Sequence, residues 1–264
     1  MATQDAQGRQ AIVPCLIPAF NNPTYVRQAI ARLSGFPTLK LFILDNASTY
    51  GPMREFCAEV DSGMHGNARL LRLDCNAGPR AVWSNLQSMP QFFCVTDPDL
   101  EFNPDLPGDF VRHLIDLTET YRVGKAGFAL SLADRDLMLP ARFRHCEGWM
   151  TIWEAEAKHW LAPLPDDPSI GDPLYRATID TTFALYNKRY FDIEQPWDAV
   201  RVAGRYTCRH LPWYVDNGLP PGEEAFYRRA TEFSYYTGDR PALQVRELFA
   251  RQDALARQPE RPGP

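Results

Sequence analysis

Four apolar runs, each closed by polar turn residues and each followed by a helical pattern or a paired acid, constrain this chain most. They are residues 11–20 (AIVPCLIPAF), 39–46 (LKLFILDN), 69–74 (RLLRLD) and 92–95 (FFCV). Between them Val26, Ile30 and Leu33 recur at helical spacing, and so do Met53, Phe56, Cys57 and Val60. Asn22 is a good N-cap, Pro23 a good first helical residue and Gly35 a good stop. Asp45-Asn46-Ala47-Ser48 can cap the helix expected over 52–60, and another helix is expected over 79–88. Pro107 opens a helix with Phe110, Leu114, Leu117 and Tyr121, and residues 126–132 (AGFALSL) read as a fifth strand. Strands alternating with helices mean a mostly parallel sheet covered by helices. The strand ends of such a sheet converge, so Asp45, Asn76, Arg80, Asp97 and Asp99 are expected in one cleft. Open α/β sheets bind ligands at that carboxyl edge.

The fourth run leads straight into Thr96-Asp97-Pro98-Asp99. Two carboxylates this close repel each other unless a cation sits between them. Hard cations such as Mg²⁺ or Mn²⁺ prefer oxygen ligands and commonly bridge to a phosphate. The same tripeptide is also good Asx-turn chemistry for closing a strand. The residues alone leave both readings open.

At 264 residues the chain suits one large domain or two small ones. The net charge of −5 argues against a broad nucleic-acid or anionic-membrane surface. No apolar stretch reaches the length of a transmembrane helix, and the polar first ten residues lack the apolar core of a signal peptide. The six cysteines are scattered without a Cys-x-x-Cys pair. That pattern fits reduced thiols and a cytoplasmic location.

The rhythm changes after residue 133. A helix over 147–161 is expected to carry Trp149, Trp153 and Trp160 near one face. Residues 176–186 (RATIDTTFALY) read as a strand interrupted by polar residues, and 209–214 (RHLPWY) as a loop. A helix is expected from Glu223 to about Tyr236. An amphipathic helix over 243–255 and a proline-rich, disordered end close the chain. No linker divides the halves, so the expectation is a single domain, 1–264.

In order, the chain carries Ile17-Pro18-Ala19-Phe20-Asn21, Asp45-Asn46-Ala47-Ser48, Asn76-Ala77-Gly78-Pro79-Arg80-Ala81 and Asp97-Pro98-Asp99. Over residues 11–132 it resembles nucleotide-sugar glycosyltransferases of the GT-A fold, family-2 type. Their opening strand, D-[DN]-x-S, N-x-G-x-x-x-A turn and metal-binding D-x-D follow the same sequence. The resemblance implies a GT-A-like (Rossmann-like) α/β sheet with a mixed C-terminal acceptor region. Residues 11–132 would be the nucleotide-sugar-binding half, 133–240 the acceptor and catalytic half, and 241–264 a C-terminal helix and tail. It implies transfer of a sugar from a nucleotide-sugar, a UDP-sugar first, to a hydroxyl of a glycan or glycolipid acceptor, with inversion favoured. Mn²⁺ or Mg²⁺ would be held by Asp97 and Asp99. A late histidine completes the metal shell in other GT-A enzymes, which makes His210 a candidate, although a lone histidine is often structural.

For the donor, the resemblance points to Pro18, Phe20, Asp45, Asn46, Asn76, Arg80 and Asp97. Asp45 could equally cap a helix, and Arg80 could be a solvated surface residue. Trp213, Trp149 and Trp153 are candidates for stacking on an acceptor, although tryptophans at helical spacing also build cores. The family's acidic Glu-Asp pair and Q-x-x-R-W box are absent, which leaves the base open. Asp180 ranks first, because a carboxylate inside a strand-like run has reason to face the cleft. Glu224 ranks second and Glu223 behind it, since acids at a helix start are favoured by the dipole anyway. A sugar-phosphate nucleotidyltransferase is the alternative enzyme. It would want a glycine-rich, basic loop after the first strand, and Pro18-Ala19-Phe20-Asn21-Asn22 has neither feature. A non-catalytic GT-A-like domain that binds a glycan or partner is the third reading.

Overall fold

The computed structural model describes residues 12–230, apart from 79–80, 141, 146–147, 181 and 195. The first half alternates as its periodicity dictates: β1 (Val13–Ala19), α1 (Pro23–Leu33), β2 (Leu39–Asp45), α2 (Gly51–Asp61), β3 (Ala68–Arg72), a 3-10 segment (Ala81–Ser88) and β4 (Phe92–Val95). After the paired aspartates come β5 (Leu100–Phe102), α3 (Phe110–Tyr121) and β6 (Lys125–Phe128). The second half holds β7 (Arg142–His145), β8 (Gly148–Thr151), α4 (Ile152–Ala157), β9 (Leu174–Arg176), β10 (Ala184–Asn187), β11 (Ala199–Val202), β12 (Cys208–His210) and α5 (Pro221–Ala230). The helix expected over 243–255 and the tail lie outside the described residues.

The fold is α/β, with a large, mainly parallel sheet in the order β3-β2-β1-β4-β10-β6-β11-β9. β1 pairs in parallel with β2 on one side and with β4 on the other. The chain therefore steps outward through β2 and β3, then returns to the far side of β1. That reversal is a topological switch point, and its crevice opens at the carboxyl ends of β1 and β4. Strand alternation sorts the core into two layers. Cys15, Ile17 and Ile43 face one side and meet Val26, Ile30 and Leu33 of α1, Met53 and Phe56 of α2, and Phe110 and Leu114 of α3. Leu16, Leu44, Phe93 and Val95 face the other side and meet Ala81, Val82 and Ile179.

One strand overturns the simple alternation. β10, from the second half, enters antiparallel between β4 and β6. Sequence periodicity cannot choose a strand's neighbours; tertiary fit does. Gly127 of β6 shows the fit. A Cβ there would lie 2.2 Å from the Phe183 carbonyl oxygen and 2.8 Å from Ala184 Cα. Across β10, Tyr186 stacks on Phe93 with ring centroids 4.9 Å apart.

Other expectations shift as well. α1 ends at Leu33 with Ser34 in right-handed helical geometry, so Gly35 is not its stop. Asn22 does not cap α1; its Oδ1 accepts from Phe20 N instead. Residues 147–161 are not one helix. They split into β8, the short α4 and a 3-10 turn, Lys158–Trp160. The reason is visible at Thr151, which closes a capping box with Glu154 and starts α4 there, after the β7–β8 hairpin. Residues 176–186 are not one strand either. The carbonyls of Thr178 and Ile179 are taken by Arg201 Nε and by Lys125 Nζ, which pulls the backbone out of the ladder before β10 begins.

Candidate metal centre

Asp97 and Asp99 leave the carboxyl end of β4 at the switch point. Thr96 N donates to Leu16 O at 3.1 Å, so the β1–β4 pairing runs to the residue before Asp97. Beyond Asp99 the chain turns into β5, and β12 pairs with it antiparallel, His210 opposite Leu100 and Cys208 opposite Phe102. Leu211 N then donates to Asp99 O at 2.9 Å. This two-stranded register delivers His210 to the aspartates from 111 positions away in sequence. Expected as a loop, residues 209–214 are the end of β12 followed by a 3-10 turn, Leu211–Trp213.

His210 Nε2 lies 3.2 Å from Asp99 Oδ1 and 3.8 Å from Asp97 Oδ2. One ligand atom from each residue fits within 4.8 Å of the other two. Neighbouring ligands on an octahedral ion at about 2.1 Å stand about 3.0 Å apart, so the spacing suits a Mg²⁺- or Mn²⁺-sized cation. Asp99 is 6% exposed, and its Oδ1 has no aligned hydrogen-bond donor. A buried carboxylate oxygen without a donor is costly, and a cation removes that cost. Burial alone would push the His210 imidazole down. Asp99, then Asp97 and Glu156, outweigh burial and hold it above its usual value. The field of the site therefore favours a cation at this position. Asp97, Asp99 and His210 together fit a divalent metal by donor type, spacing and charge.

The loops after β1, β2 and β3 are tied into one knot beside this cluster. Asn46 N donates to Ala19 O, Asn21 N to Ser48 Oγ, and Thr49 N and Tyr50 N both donate to Asn21 Oδ1. Asp45 Oδ1 accepts from Ser48 N at 3.2 Å, Asn46 Oδ1 accepts from Ala77 N, and Asn76 Oδ1 accepts from Gly78 N. Asp45 and Asn76 each use one oxygen within their own loop, while Asn46 Oδ1 ties the loop after β2 to the loop after β3. Asp45 does not cap α2, whose N-cap is Tyr50. Asn21 and Ala47 hold positive φ values of 58° and 56°, a strained geometry confined to these two loop ends and Arg122 among described non-glycine residues. Pro18 is buried and Phe20 half-buried at the end of β1. Arg80 lies outside the described residues.

The second half approaches through α5. Its Glu223 is 5% exposed and accepts from Thr24 N at 3.0 Å and Thr24 Oγ1 at 2.7 Å. A residue 199 positions away thus caps α1. Tyr25 Oη donates to Asn217 O, and Tyr50 stacks on Phe226 at 4.5 Å. Residues 214–230 therefore cross the carboxyl ends of β1 and β2. Glu224 Oε1 accepts from Asn217 Nδ2 at 3.0 Å. Burial raises the Tyr25 hydroxyl, and so do the charges of Asp99, Tyr227, Glu223 and Glu224.

Three expected site residues change character. Asp180 is exposed, on an irregular segment rather than in a strand facing the cleft. Trp153 is half-buried, donates from Nε1 to Leu132 O, and carries the Arg135 guanidinium 4.6 Å over its ring. Trp213 is buried, with its ring centroid 4.9 Å from that of His210 and the two planes at 68°. Trp149, on β8, is 61% exposed. The sequence reading did not find Glu156, Arg201 or Tyr25. The two charged residues read as solvated surface, and only their burial marks them.

No family model matches the chain, and no curated protein matches it in sequence. Solved structures similar to it include the mannosyltransferase PcManGT from Pyrobaculum calidifontis in complex with GDP-Man and Mn²⁺, at 13% identity over 82% of this chain, with a TM-score of 0.47. GalNAc-T7 with UDP, GalNAc and Mn²⁺ is 10% identical over 92% of this chain, with a TM-score of 0.46. The apo bifunctional glycosyltransferase WbbM is 15% identical over 67%, with a TM-score of 0.35. The chain spans 60%, 55% and 31% of their respective lengths. The first and third are glycosyltransferases by name. At TM-scores below 0.5 they are likenesses only; the fold and the site stand on the strand order and side-chain geometry above.

Proposed function

We propose that this chain is a metal-dependent glycosyltransferase that takes its sugar from a nucleotide-sugar. One observation carries the reading: Asp97, Asp99 and His210 converge at the β1/β4 switch point, with one ligand atom of each within 4.8 Å of the other two. Switch-point crevices take nucleotides, and paired aspartates there suit a cation that meets a diphosphate.

A divalent metal, Mn²⁺ or Mg²⁺, would be held by Asp99 and His210, with Asp97 as a third ligand or a ribose contact. When bound it would supply Lewis acidity to a departing diphosphate. The chain's own residues do the rest. The knotted loops at Pro18, Phe20, Asp45, Asn46 and Asn76 bound the nucleotide side, with Arg80 reserved for phosphate. UDP is the first nucleotide to try. The acceptor, a glycan or glycolipid, would enter past Trp149. A carboxylate must take the proton from its hydroxyl, at hydrogen-bond distance from the attacking oxygen. Glu224 is now the first candidate, because it lies on α5, whose Glu223 and Phe226 meet Thr24 and Tyr50 beside the carboxyl ends of β1 and β2. Asp180 falls to second, since its exposure removes the reason for ranking it first.

The test is a thermal-shift screen of UDP- and GDP-sugars with Mn²⁺ and with EDTA, followed by donor hydrolysis. A ligand at 100 times its Kd stabilises by about 2.7 kcal/mol. Metal-dependent stabilisation plus hydrolysis supports the reading. Stabilisation without hydrolysis or transfer would indicate a binding domain, and pyrophosphate release from a nucleoside triphosphate and a sugar phosphate would indicate a nucleotidyltransferase. Glu224→Gln should retain UDP binding and lose transfer by roughly 10²–10⁴-fold; near-normal transfer, with loss in Asp180→Asn, returns the role to Asp180.

A further inference from the structure

The segment that leads into α5 is tied at two points to the first turn of α1. Thr24 donates to Glu223 from its N–H and its hydroxyl. Tyr25, the next residue and fully buried, donates from Oη to Asn217 O at 3.0 Å. Between those two ties the chain folds back on itself. Leu219 N donates to Asn217 Oδ1 at 3.0 Å, and Glu224 N donates to Pro220 O at 2.9 Å. The Asn217 side chain then spans the fold-back: its Nδ2 donates to Glu224 Oε1 at 3.0 Å, seven residues on. The main-chain carbonyl, side-chain carbonyl and side-chain amide of Asn217 therefore each have a different partner, and the amide's partner is the carboxylate named above as first candidate for the base. A half-buried glutamate keeps much of its rotamer freedom unless something holds it. An amide that donates to a carboxylate also favours its ionised form, the form a base needs.

We propose that Asn217 is a positioning residue for Glu224: anchored by Tyr25 and Leu219, it holds one carboxylate oxygen so that the group stays ionised and aimed at the acceptor hydroxyl. Glu224 takes that hydroxyl's proton as the oxygen bonds to the anomeric carbon and the diphosphate leaves with the electrons of the broken bond. A base works only within hydrogen-bond reach of the proton it takes, and a misplacement of about 1 Å can cost on the order of 100-fold in rate. The proposal rests on the reading of Glu224 as the base.

The test reads nucleotide release from UDP-glucose, UDP-N-acetylglucosamine and GDP-mannose in Mn²⁺ at pH 8, with water as the acceptor. UDP and GDP affinity by calorimetry and melting temperatures are measured alongside. Asn217→Asp keeps the oxygen that accepts from Leu219 N and removes the donor to Glu224; Asn217→Ala removes the donor without adding a charge. In both, kcat should fall about 10- to 100-fold, with nucleotide affinity unchanged and the fold retained. In a Glu224→Gln background neither substitution should lower kcat further, because residues that act as a unit are not additive. Unchanged kcat in both variants, with Glu224→Gln inactive, overturns the proposal and leaves Glu224 as the base. A loss confined to Asn217→Asp, or equal losses with and without Glu224, overturns it as well, since repulsion or some other contact of Asn217 would then be the cause. Loss of nucleotide affinity or of the fold in step with kcat would make Asn217 a structural residue and not a positioning one. Normal kcat in Glu224→Gln overturns the base reading and this proposal together.

Discussion

Replacing Glu223 by alanine removes the cap of α1 from almost the far end of the described chain. The two oxygens of Glu223 accept from Thr24 N and Thr24 Oγ1 at 3.0 and 2.7 Å. Hydrogen bonds to a charged group contribute about 1.5–3 kcal/mol each, and loss of an N-terminal cap about 1 kcal/mol. Both bonds end on one residue, so their losses do not add in full. The expected cost is about 2–3 kcal/mol, because Asn22 offers no cap in reserve. One kcal/mol moves the melting temperature of a chain of this size by about 2–4 °C, so Glu223→Ala should melt about 4–12 °C lower. Glu223→Gln retains an acceptor without the charge and should lose about half of that. Urea unfolding supplies the free energy, and calorimetry the melting temperature. A loss under about 0.5 kcal/mol in the alanine variant would refute the account of how α5 is seated.

Further outcomes follow from the same geometry. Gly127→Ala drives a methyl group into the Phe183 carbonyl and Ala184 backbone and should cost more than about 3 kcal/mol, the upper range for overpacking; circular dichroism melts would show it, and a stable variant would contradict the β6–β10 fit. Ala47→Gly should stabilise by about 0.5–1 kcal/mol in urea unfolding, relief of a left-handed alanine exceeding the glycine entropy cost. In a Cys146→Ser background, only exposed Cys75 should react quickly with a thiol reagent at pH 8. Cys15, Cys94 and Cys208 are buried and held protonated by burial, and Cys57 is buried with its pKa raised to about 11. Fast reaction of a second thiol would show that the core opens.

The sheet was legible because β1, β2 and β4 declare themselves locally, as apolar runs closed by turn residues. The paired aspartates were legible because they follow such a run directly. His210 was readable only as a candidate, since its place depends on β12 (Cys208–His210) pairing with β5 (Leu100–Phe102), far apart in sequence, and no periodicity encodes a register. β10 was readable as a strand but not as an antiparallel insertion, which the bare backbone of Gly127 permits. The tryptophans misled for a physical reason. Trp149 and Trp153 stand four residues apart and imitate a helix face, while the alternation of Trp149, Met150 and Thr151, exposed, buried and half-exposed, was the better signal. Glu156 and Arg201 gave no signal, because a buried ion pair looks like two surface charges until the elements pack.

The most direct test is calorimetric binding of UDP and GDP to the wild type and to Asp99→Asn, each with Mn²⁺ and with EDTA. The wild type should bind at least one of the two nucleotides in Mn²⁺ and lose most of that affinity in EDTA. Asp99→Asn should bind no more tightly with Mn²⁺ than without it, while melting close to the wild type. Equal affinity in Mn²⁺ and EDTA for the wild type, or undiminished Mn²⁺-dependent binding in Asp99→Asn, would contradict the assignment of Asp97, Asp99 and His210 as the metal site.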